Sequence, residues 1–155
     1  MSTRGYVGFY KDEKDFGGYN HYDSYPDGLG NSILSFLKGK TIDDLNNIFS
    51  SKKENNDSNE DVWDWNKGCF NNDFSNCPSF LSDSLFCEWA YIINLDDDVF
   101  EVYRGFNKNP NAPGRYASKQ CDSDTYYGVE LIKTFSLNDC FEGKIKVDKD
   151  KFIKD

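Results

Sequence analysis

The beginning of the chain carries two short runs in which apolar and polar or small residues alternate. Residues 4–10 (RGYVGFY) and 16–22 (FGGYNHY) flank the polar stretch KDEKD. Alternation with a period of two is typical of β-strands that bury one face, and a short polar stretch between two such runs is typical of a turn. The pattern therefore predicts an opening β-hairpin that is rich in aromatic side chains.

A second hairpin is predicted over residues 88–106 (EWAYIINLDDDVFEVYRGF), where Asp96, Asp97 and Asp98 form only the turn. Tyr91, Ile93 and Leu95 fall on one face of its first strand. Residues 126–137 predict a further strand. The tail 143–155 alternates apolar and charged residues, which predicts an edge strand or a frayed end.

Helical spacing occurs at two places between the hairpins. A helix capped by Asn31 or Ser32 is expected to run through Leu37 and to end at Gly39. A second helix is expected from Thr41, because Thr-x-x-Asp resembles a capping box. Its apolar stripe follows as Ile42, Leu45, Ile48 and Phe49.

The middle of the chain has no regular period. Residues 50–61 (SSKKENNDSNED) predict a mobile polar loop, and residues 63–83 predict short turns packed over the sheet. A short helix is expected near 82–87. Together, these elements predict a single α+β domain over residues 1–155, with a mainly antiparallel sheet of about five or six strands and two or three helices. An αββα-like sandwich is one arrangement of these elements.

Composition narrows the classes of partner. With 13 Phe, 10 Tyr and 3 Trp, much of the core must be built from aromatic rings. The net charge of −9 comes from 18 basic and 27 acidic residues. A nucleic-acid backbone needs a basic footprint and an anionic membrane attracts basic segments, so neither nucleic acid nor membrane is expected as a partner. Local arginines can still hold a small anion: Arg104 and Arg115, which flank the Asn/Pro loop, either bind a carboxylate or phosphate or are surface residues that balance the acids.

The cysteines and the N-terminal residues indicate the cellular compartment and whether a metal or cofactor is expected. The five cysteines form no C-x-x-C pair and the chain has a single histidine, so we expect neither a zinc site nor another metal or cofactor. An odd number of cysteines favours free thiols in a reducing compartment. The residues MSTRGYVGFYKDEK lack the apolar run of a signal peptide, so the prediction is a cytoplasmic protein.

The segment YNHYDSYPDGLG, residues 19–30, is the leading candidate for a site. Proline and two glycines give turn chemistry, and a helix start at Asn31 presents N–H groups that suit an anion. If the strand continues, His21 and Asp23 share a face, where the carboxylate can orient the imidazole. Tyr25 and Arg4 complete the predicted ligand-binding set. The alternative is structural: His21 is half buried among rings, and Asp23 caps the turn.

Two other groups of residues have some features of a binding site. Asp57, Asn59 and Asp61 begin the spacing of a calcium loop, but Val62 occupies the position that requires glycine, so an EF-hand is excluded. The tryptophans in VWDWN can stack on a sugar or base, although they more commonly roof a small core. If they are exposed around Trp63 and Trp65 instead, an interaction protein with a sizeable apolar patch is predicted.

A small residue at position 2, a glycine-containing hairpin and an acid at the end of its second strand resemble the start of N-terminal nucleophile hydrolases. That superfamily has a four-layer αββα sandwich and uses its first residue as both nucleophile and activating amine. The resemblance covers about the first quarter of the chain. It implies Ser2 as nucleophile, Asp23 as the assisting acid, and Lys38 or Lys40 as the assisting lysine.

A second resemblance covers about a third of the chain and includes the segment EWAYIINLDDDVFEVYRGF. The N-terminal pattern is similar to that of an uncharacterised family of small bacterial and phage proteins, and it implies no activity. The matching positions are Thr3, Arg4, Gly8, Tyr19, His21, Asp23, Tyr25, Pro26, Gly28 and Gly30. The leading hypothesis is a binding module for a small polar or anionic ligand or for a protein partner, with Arg4, His21, Asp23, Tyr25 and Asn31 at its site. The alternative is an N-terminal nucleophile-type amide hydrolase.

Overall fold

The computed structural model of the protein describes residues 3–57, 60–119 and 125–155. Its strands are β1 (Gly5–Lys11), β2 (Lys14–Asn20), β3 (Lys53–Glu54), β4 (Trp63–Asp64), β5 (Cys69–Phe70), β6 (Asp73–Phe74), β7 (Trp89–Asn94), β8 (Val99–Arg104), β9 (Glu130–Ser136), β10 (Ile145–Asp148) and β11 (Lys151–Lys154). Its α-helices are α1 (Asn31–Leu37), α2 (Ile42–Ser51) and α3 (Leu137–Phe141); a π-helical turn at Pro26–Gly30 precedes α1, and a 3₁₀ turn at Pro78–Ser82 lies between β6 and β7.

The central sheet has five strands in the order β2-β1-β7-β8-β9. The α+β class, the five strands and the three helices confirm the sequence-based prediction. The sheet is mixed, however, because β1 and β7 pair in parallel while the other three pairings are antiparallel. The remaining sheets of the described residues have two strands each, so these residues do not form the αββα-like arrangement of two stacked large sheets.

One face of the sheet is covered by α1, by residues of the 62–74 region and by the C-terminal hairpin β10–β11. Tyr91 and Ile93 point into this larger core, as the alternation predicted, and Leu95 packs at its margin. Aromatic rings fill much of the space. The buried rings of this face are Phe9, Phe36, Trp63, Phe70, Phe74, Trp89, Tyr91, Phe100 and Phe152.

The opposite face is covered by loops rather than helices. Tyr6, Ala90, Ile92 and Tyr103 project from the sheet and pack against side chains from three irregular segments, which contribute Leu81, Cys87, Tyr116 and Val129. Every residue of β7 is therefore buried, because the strand lies between two cores. Buried polar groups on this second face therefore need partners inside the protein.

Helix α2 begins with the predicted capping box. The Thr41 hydroxyl accepts a hydrogen bond from the Asp44 N–H at 3.1 Å, and the Asp44 carboxylate accepts one from the Thr41 N–H at 2.9 Å. Both N–H groups would otherwise lack a partner at the helix start. The helix buries Leu45 from its apolar stripe.

Removal of the Thr41 cap is expected to have a modest and local effect on stability. Thr41→Ala is expected to lower the free energy of unfolding by about 1 kcal/mol, the usual effect of losing an N-cap hydroxyl. Urea unfolding of Thr41→Ala and of Ser35→Ala, an exposed position within α1, measures the difference. Equal stability of the two variants would show that the capping box contributes little.

Other elements differ from the expectation. Residues 50–61 are only partly loop: α2 runs to Ser51, and Lys53–Glu54 form β3 beside β6. The short helix expected at 82–87 is only a turn, in which the Cys87 N–H donates to the Asp83 carbonyl, and the 3₁₀ turn Pro78–Ser82 lies just before it. Helix α3 was not predicted, although the Ser136 hydroxyl caps it by accepting a hydrogen bond from the Asp139 N–H. The C-terminal tail forms the hairpin β10–β11 rather than a single edge strand.

Candidate functional site

The predicted segment leaves the sheet earlier than the sequence suggested. Strand β2 ends at Asn20, and Asp23 adopts a left-handed backbone conformation with φ of 55°. Because the strand geometry stops before His21, the expected alignment of His21 and Asp23 on one strand face is wrong. Their side chains take separate partners: the His21 ring Nδ1 lies 2.7 Å from the Tyr19 hydroxyl, while the Tyr25 hydroxyl donates to Asp23 at 3.3 Å.

The inner half of the segment is a buried hydrogen-bond network. The Asn20 side-chain amide donates to the Ser24 hydroxyl at 2.8 Å and to the Tyr22 carbonyl at 2.7 Å. The Tyr91 hydroxyl donates to the Ser24 carbonyl at 2.7 Å. Asn20, Ser24 and Tyr91 are at most 1 % exposed, so these bonds anchor the segment to the centre of the sheet.

The start of α1 does not provide the free N–H groups that an anion would need. The π-helical turn Pro26–Gly30 runs directly into α1, and the Asn31 N–H is directed at the Pro26 and Gly28 carbonyls. The Asn31 side chain contacts Asp27 at 3.3 Å. The Asn31 N–H therefore already has acceptors within the chain and is not the open helix start that the sequence predicted.

The remaining predicted residues lie on different surfaces. Arg4 places its guanidinium 5.5 Å from the centre of the Phe86 ring, and its backbone N–H donates to Glu88 at 3.1 Å. Lys38 packs over Gly143. Ser2 lies outside the described residues. Within those residues no hydrogen bond or ion pair joins Arg4 or Lys38 to Asp23, so the proposed set is not brought together as one site.

A pocket lies beside the exposed half of the segment. Tyr22 is 44 % exposed and stacks on Trp65, with ring centroids 5.9 Å apart and an interplanar angle of 16°. The pocket encloses about 300 Å³. We call it the aromatic pocket, and its lining residues are Tyr22, Glu60, Asp61, Trp63, Asp64, Trp65, Asn66 and Asn71.

The β4–β5 hairpin builds one wall of this pocket. Asp64 holds the turn by accepting hydrogen bonds from the Asn66 and Lys67 N–H groups at 2.9 and 3.0 Å. The Trp65 indole N–H donates to Asn20 at 3.2 Å, which ties the pocket to the end of β2. Trp63 is 1 % exposed and packs edge-on against Phe70, so it roofs the core. Trp63 thus takes the core position favoured from the sequence, and it does not contribute to the alternative, an exposed apolar patch.

The charges around the aromatic pocket are negative. Glu60, Asp61 and Asp64 line it, and none of its lining residues is basic. Carboxylates repel an anionic ligand and attract a cation, whereas carboxylate and amide oxygens also accept hydrogen bonds from hydroxyl groups. An aromatic face can stack on a sugar ring or attract a cation. The pocket thus combines apolar and hydrogen-bonding surfaces around one small volume.

A polar cluster on the second face of the sheet was missed in the sequence. Glu101 is 5 % exposed, and both of its carboxylate oxygens accept hydrogen bonds at 2.8 Å from the Arg115 guanidinium. The Tyr103 hydroxyl and the Asn94 amide also donate to Glu101. The signal for this site is a glutamate within the otherwise apolar strand sequence VFEVY. The rings of Tyr10, Tyr103 and Tyr116 surround the Arg115 guanidinium, the nearest at 3.7 Å.

Asp15 extends this cluster by accepting a hydrogen bond from the Tyr116 hydroxyl. Burial raises the pKa of the Asp15 carboxyl above its usual 3.8, although the hydrogen bond from Tyr116 and the charge of Arg115 act in the opposite direction. Burial and the nearby Asp15 charge raise the pKa of the Tyr116 hydroxyl. Within the folded protein, Asp15 therefore binds its proton more tightly than an exposed carboxyl does.

This shift makes stability depend on pH in a defined direction. A raised pKa in the folded state contributes stability that is present below about pH 4 and is lost as the pH rises through the raised value. The unfolding free energy of wild type relative to Asp15→Asn should therefore fall as the pH rises from 4. Urea titrations of both proteins across this range test it, and a difference that stays constant with pH would contradict it.

Searches for related proteins complete this description. Comparisons with protein-family models, curated proteins and solved structures gave no match. Across residues 3–57, 60–119 and 125–155, no helix is long and apolar enough to cross a membrane. The same residues contain no group of three or more His, Cys, Asp or Glu side chains positioned to hold a metal ion. The fold and site define an α+β domain with an aromatic pocket at the end of its first hairpin.

Proposed function

We propose that this protein is a binding module for a small polar ligand, which it holds in the aromatic pocket. The observation that carries the proposal is the stacked pair Tyr22 and Trp65 on the wall of a volume of about 300 Å³. Ligand pockets typically combine aromatic surface with a few fixed polar groups and have volumes of this order. Asp61, Asp64 and Asn66 supply such groups here.

The hydrogen bond of Trp65 indicates that this wall of the pocket is preorganised for binding. Its indole N–H is bonded to Asn20, which belongs to the buried network under the first hairpin. A ring that is already fixed loses little conformational entropy when a ligand binds. Tyr22 stacks on Trp65 and also contacts His21 edge-on, with ring centroids 6.4 Å apart. This contact supports a role for His21 next to the pocket rather than in a pair with Asp23.

The charges of the pocket select among polar ligands. Three carboxylates and no basic side chain disfavour an anion and favour either a hydroxyl-rich neutral molecule or an organic cation. A pyranose stacks its C–H groups on an aromatic face and donates hydroxyl protons to carboxylates. A quaternary or primary amine gains from the same rings through cation–π attraction.

Calorimetric titration tests this proposal with a defined panel of monosaccharides, tetramethylammonium as the cation and benzoate as the anion. A sugar or the cation is expected to bind, and benzoate is not. Tyr22→Ala should weaken the binding about tenfold, since it removes one aromatic wall, a change of about 1.4 kcal/mol. Tyr25→Ala is the matched control, because Tyr25 is 36 % exposed but does not line the pocket.

The results for the two variants show whether the ligand binds in the aromatic pocket or beside it. Equal binding by wild type and Tyr22→Ala, combined with loss in Tyr25→Ala, would move the site to the Asp23–Tyr25 pair. Binding of benzoate alone, or of no member of the panel, would contradict the proposal. Circular dichroism of each variant checks that the fold is retained.

One contact favours the second candidate function, an N-terminal nucleophile-type amide hydrolase. The Ser24 N–H donates to the Thr3 carbonyl at 3.1 Å, so residue 3 lies beside the segment that contains Asp23. This function requires removal of Met1 and a nucleophile at Ser2. Mass spectrometry of the N-terminus and an amide-hydrolysis screen of wild type against Ser2→Ala test it. Retention of Met1, or equal hydrolysis by both proteins, would contradict this function.

A further inference from the structure

A second surface lies at one end of the central sheet. The parallel pairing of β1 with β7 sets Gly5 beside Trp89, and the antiparallel pairing of β7 with β8 sets Trp89 beside Arg104. Arg4, which directly precedes β1, and Arg104, which ends β8, therefore lie at the same end of the sheet. The pairing gathers two arginines from distant parts of an acidic chain.

Exposed apolar side chains surround these arginines. Leu85, Phe86 and Phe106 are 37, 48 and 44 % exposed. The Arg4 guanidinium lies 5.5 Å from the centre of the Phe86 ring, and that of Arg104 lies 5.7 Å from the centre of the Phe106 ring. We call these five residues, together with Lys108, the arginine patch. Lys108 continues it over Tyr126, whose ring contacts Phe106.

Phe106 is held on the surface at a conformational cost. Its φ is 56°, which is rare for a bulky side chain, and its N–H donates to the Ser84 carbonyl at 2.6 Å. The preceding Gly105 packs so closely that a Cβ there would lie 2.1 Å from the Cys87 carbonyl oxygen. Strained backbone that presents an exposed side chain is more frequent at functional positions than elsewhere.

No carboxylate of the described residues forms an ion pair with the cations of the patch. Among the described residues, neither Arg4 nor Arg104 forms an ion pair, although Glu130 is the cross-strand neighbour of Arg104 and Glu88 accepts the Arg4 backbone N–H. Their guanidinium groups rest on rings, which leaves donors available for a planar acidic group. Arginine and aromatic side chains together are typical of the energetic centres of protein interfaces.

We propose that the arginine patch docks an acidic segment of a protein partner, one that carries Asp or Glu next to large apolar side chains. The carboxylates pair with Arg4 and Arg104, and the apolar side chains cover Phe86 and Phe106. A small anion would leave the exposed rings uncovered. A nucleic acid fits less well, because the chain as a whole carries a charge of −9 and repels an extended polyanion. This surface is separate from the aromatic pocket and does not depend on its function.

Selection from a library of short random displayed peptides on the immobilised protein tests the proposal. Phe106→Gly serves for counter-selection, since glycine tolerates the positive φ and removes the ring. Enriched peptides are expected to combine acidic and large apolar residues. Their affinity, measured by fluorescence polarisation, should fall about tenfold or more in Phe106→Gly and in Arg104→Gln and should weaken with added salt. Lys14→Gln, an exposed cation on the first hairpin, is the matched control and should bind as wild type does.

Three results would overturn the proposal. One is a failed selection: either no peptide binds the wild-type protein more tightly than it binds Phe106→Gly, or the enriched peptides are not acidic. Another is tighter binding of single-stranded DNA, with the same loss in the variants, which would assign the patch to nucleic acid. The third is self-association of the free protein, seen by light scattering and abolished by Phe106→Gly, which would assign it to a second copy. Thermal unfolding of each variant verifies that lost binding is not lost folding.

Discussion

Glu101→Leu is expected to lower the free energy of unfolding by about 3 kcal/mol, because it leaves the Arg115 guanidinium without its carboxylate. Both guanidinium hydrogen bonds of 2.8 Å disappear, together with the acceptor for the Tyr103 hydroxyl and the Asn94 amide. The Arg115 side chain is 29 % exposed, which places the effect at the lower end of the range for broken buried pairs. Urea unfolding monitored by tryptophan fluorescence measures it.

The double variant Glu101→Leu/Arg115→Leu is the control. It removes both charges, so it should recover more than half of the stability that Glu101→Leu loses. A loss below about 1 kcal/mol in Glu101→Leu would mean that the pair behaves as an exposed ion pair does. A double variant no more stable than the single one would show that the hydrogen bonds from Tyr103 and Asn94, rather than the unpaired charge, determine the loss.

Gly28→Ala is expected to cost roughly 3 kcal/mol, near the upper end of the range for overpacking. A Cβ at this position would lie 2.3 Å from the Asp23 carbonyl oxygen. That oxygen also accepts the Leu29 N–H at 2.8 Å, so it cannot withdraw without breaking the turn before α1. Thermal and urea unfolding report the loss.

Gly39→Ala is the matched glycine control. Gly39 has φ of 82°, and nothing lies within 4 Å of the position that a Cβ would take, so only backbone strain of about 1 kcal/mol opposes alanine there. Gly28→Ala should therefore be clearly less stable than Gly39→Ala. The reverse order would show that the 23–28 turn can rearrange and that it does not hold the first hairpin in place.

Local patterns in the sequence predicted the elements that depend on neighbouring residues. The alternation on both sides of KDEKD and of Asp96–Asp98 predicted the two long hairpins. The pair Thr41 and Asp44 predicted the start of α2. The parallel pairing of β1 with β7 was not predictable, because residues distant in the chain form it and no local period encodes it. Helix α3 was not predicted for a related reason, because five residues are too few to establish a helical period.

The sequence indicated the segment that borders the proposed pocket but not the arrangement of its side chains. The segment after β2 does border a pocket, yet the positive φ of Asp23 separates its carboxylate from His21. Tyr22 is not part of the site predicted from the sequence, and it lines the pocket where Trp65 from a distant hairpin stacks on it. Contacts between such distant rings depend on the tertiary fold, which one sequence read without relatives does not reveal.

The most direct test of the aromatic pocket is a ¹⁵N–¹H correlation spectrum of the tryptophan indoles during titration with the sugars and the cation. Trp65 lies at the pocket wall with its N–H on Asn20, whereas Trp89 is buried in the sheet beneath Arg104. A ligand of the pocket is expected to shift the Trp65 indole signal in a saturable way and to leave that of Trp89 unchanged. Saturable binding that shifts Trp89 but not Trp65, or no shift with any of these ligands, would contradict a binding function for the pocket.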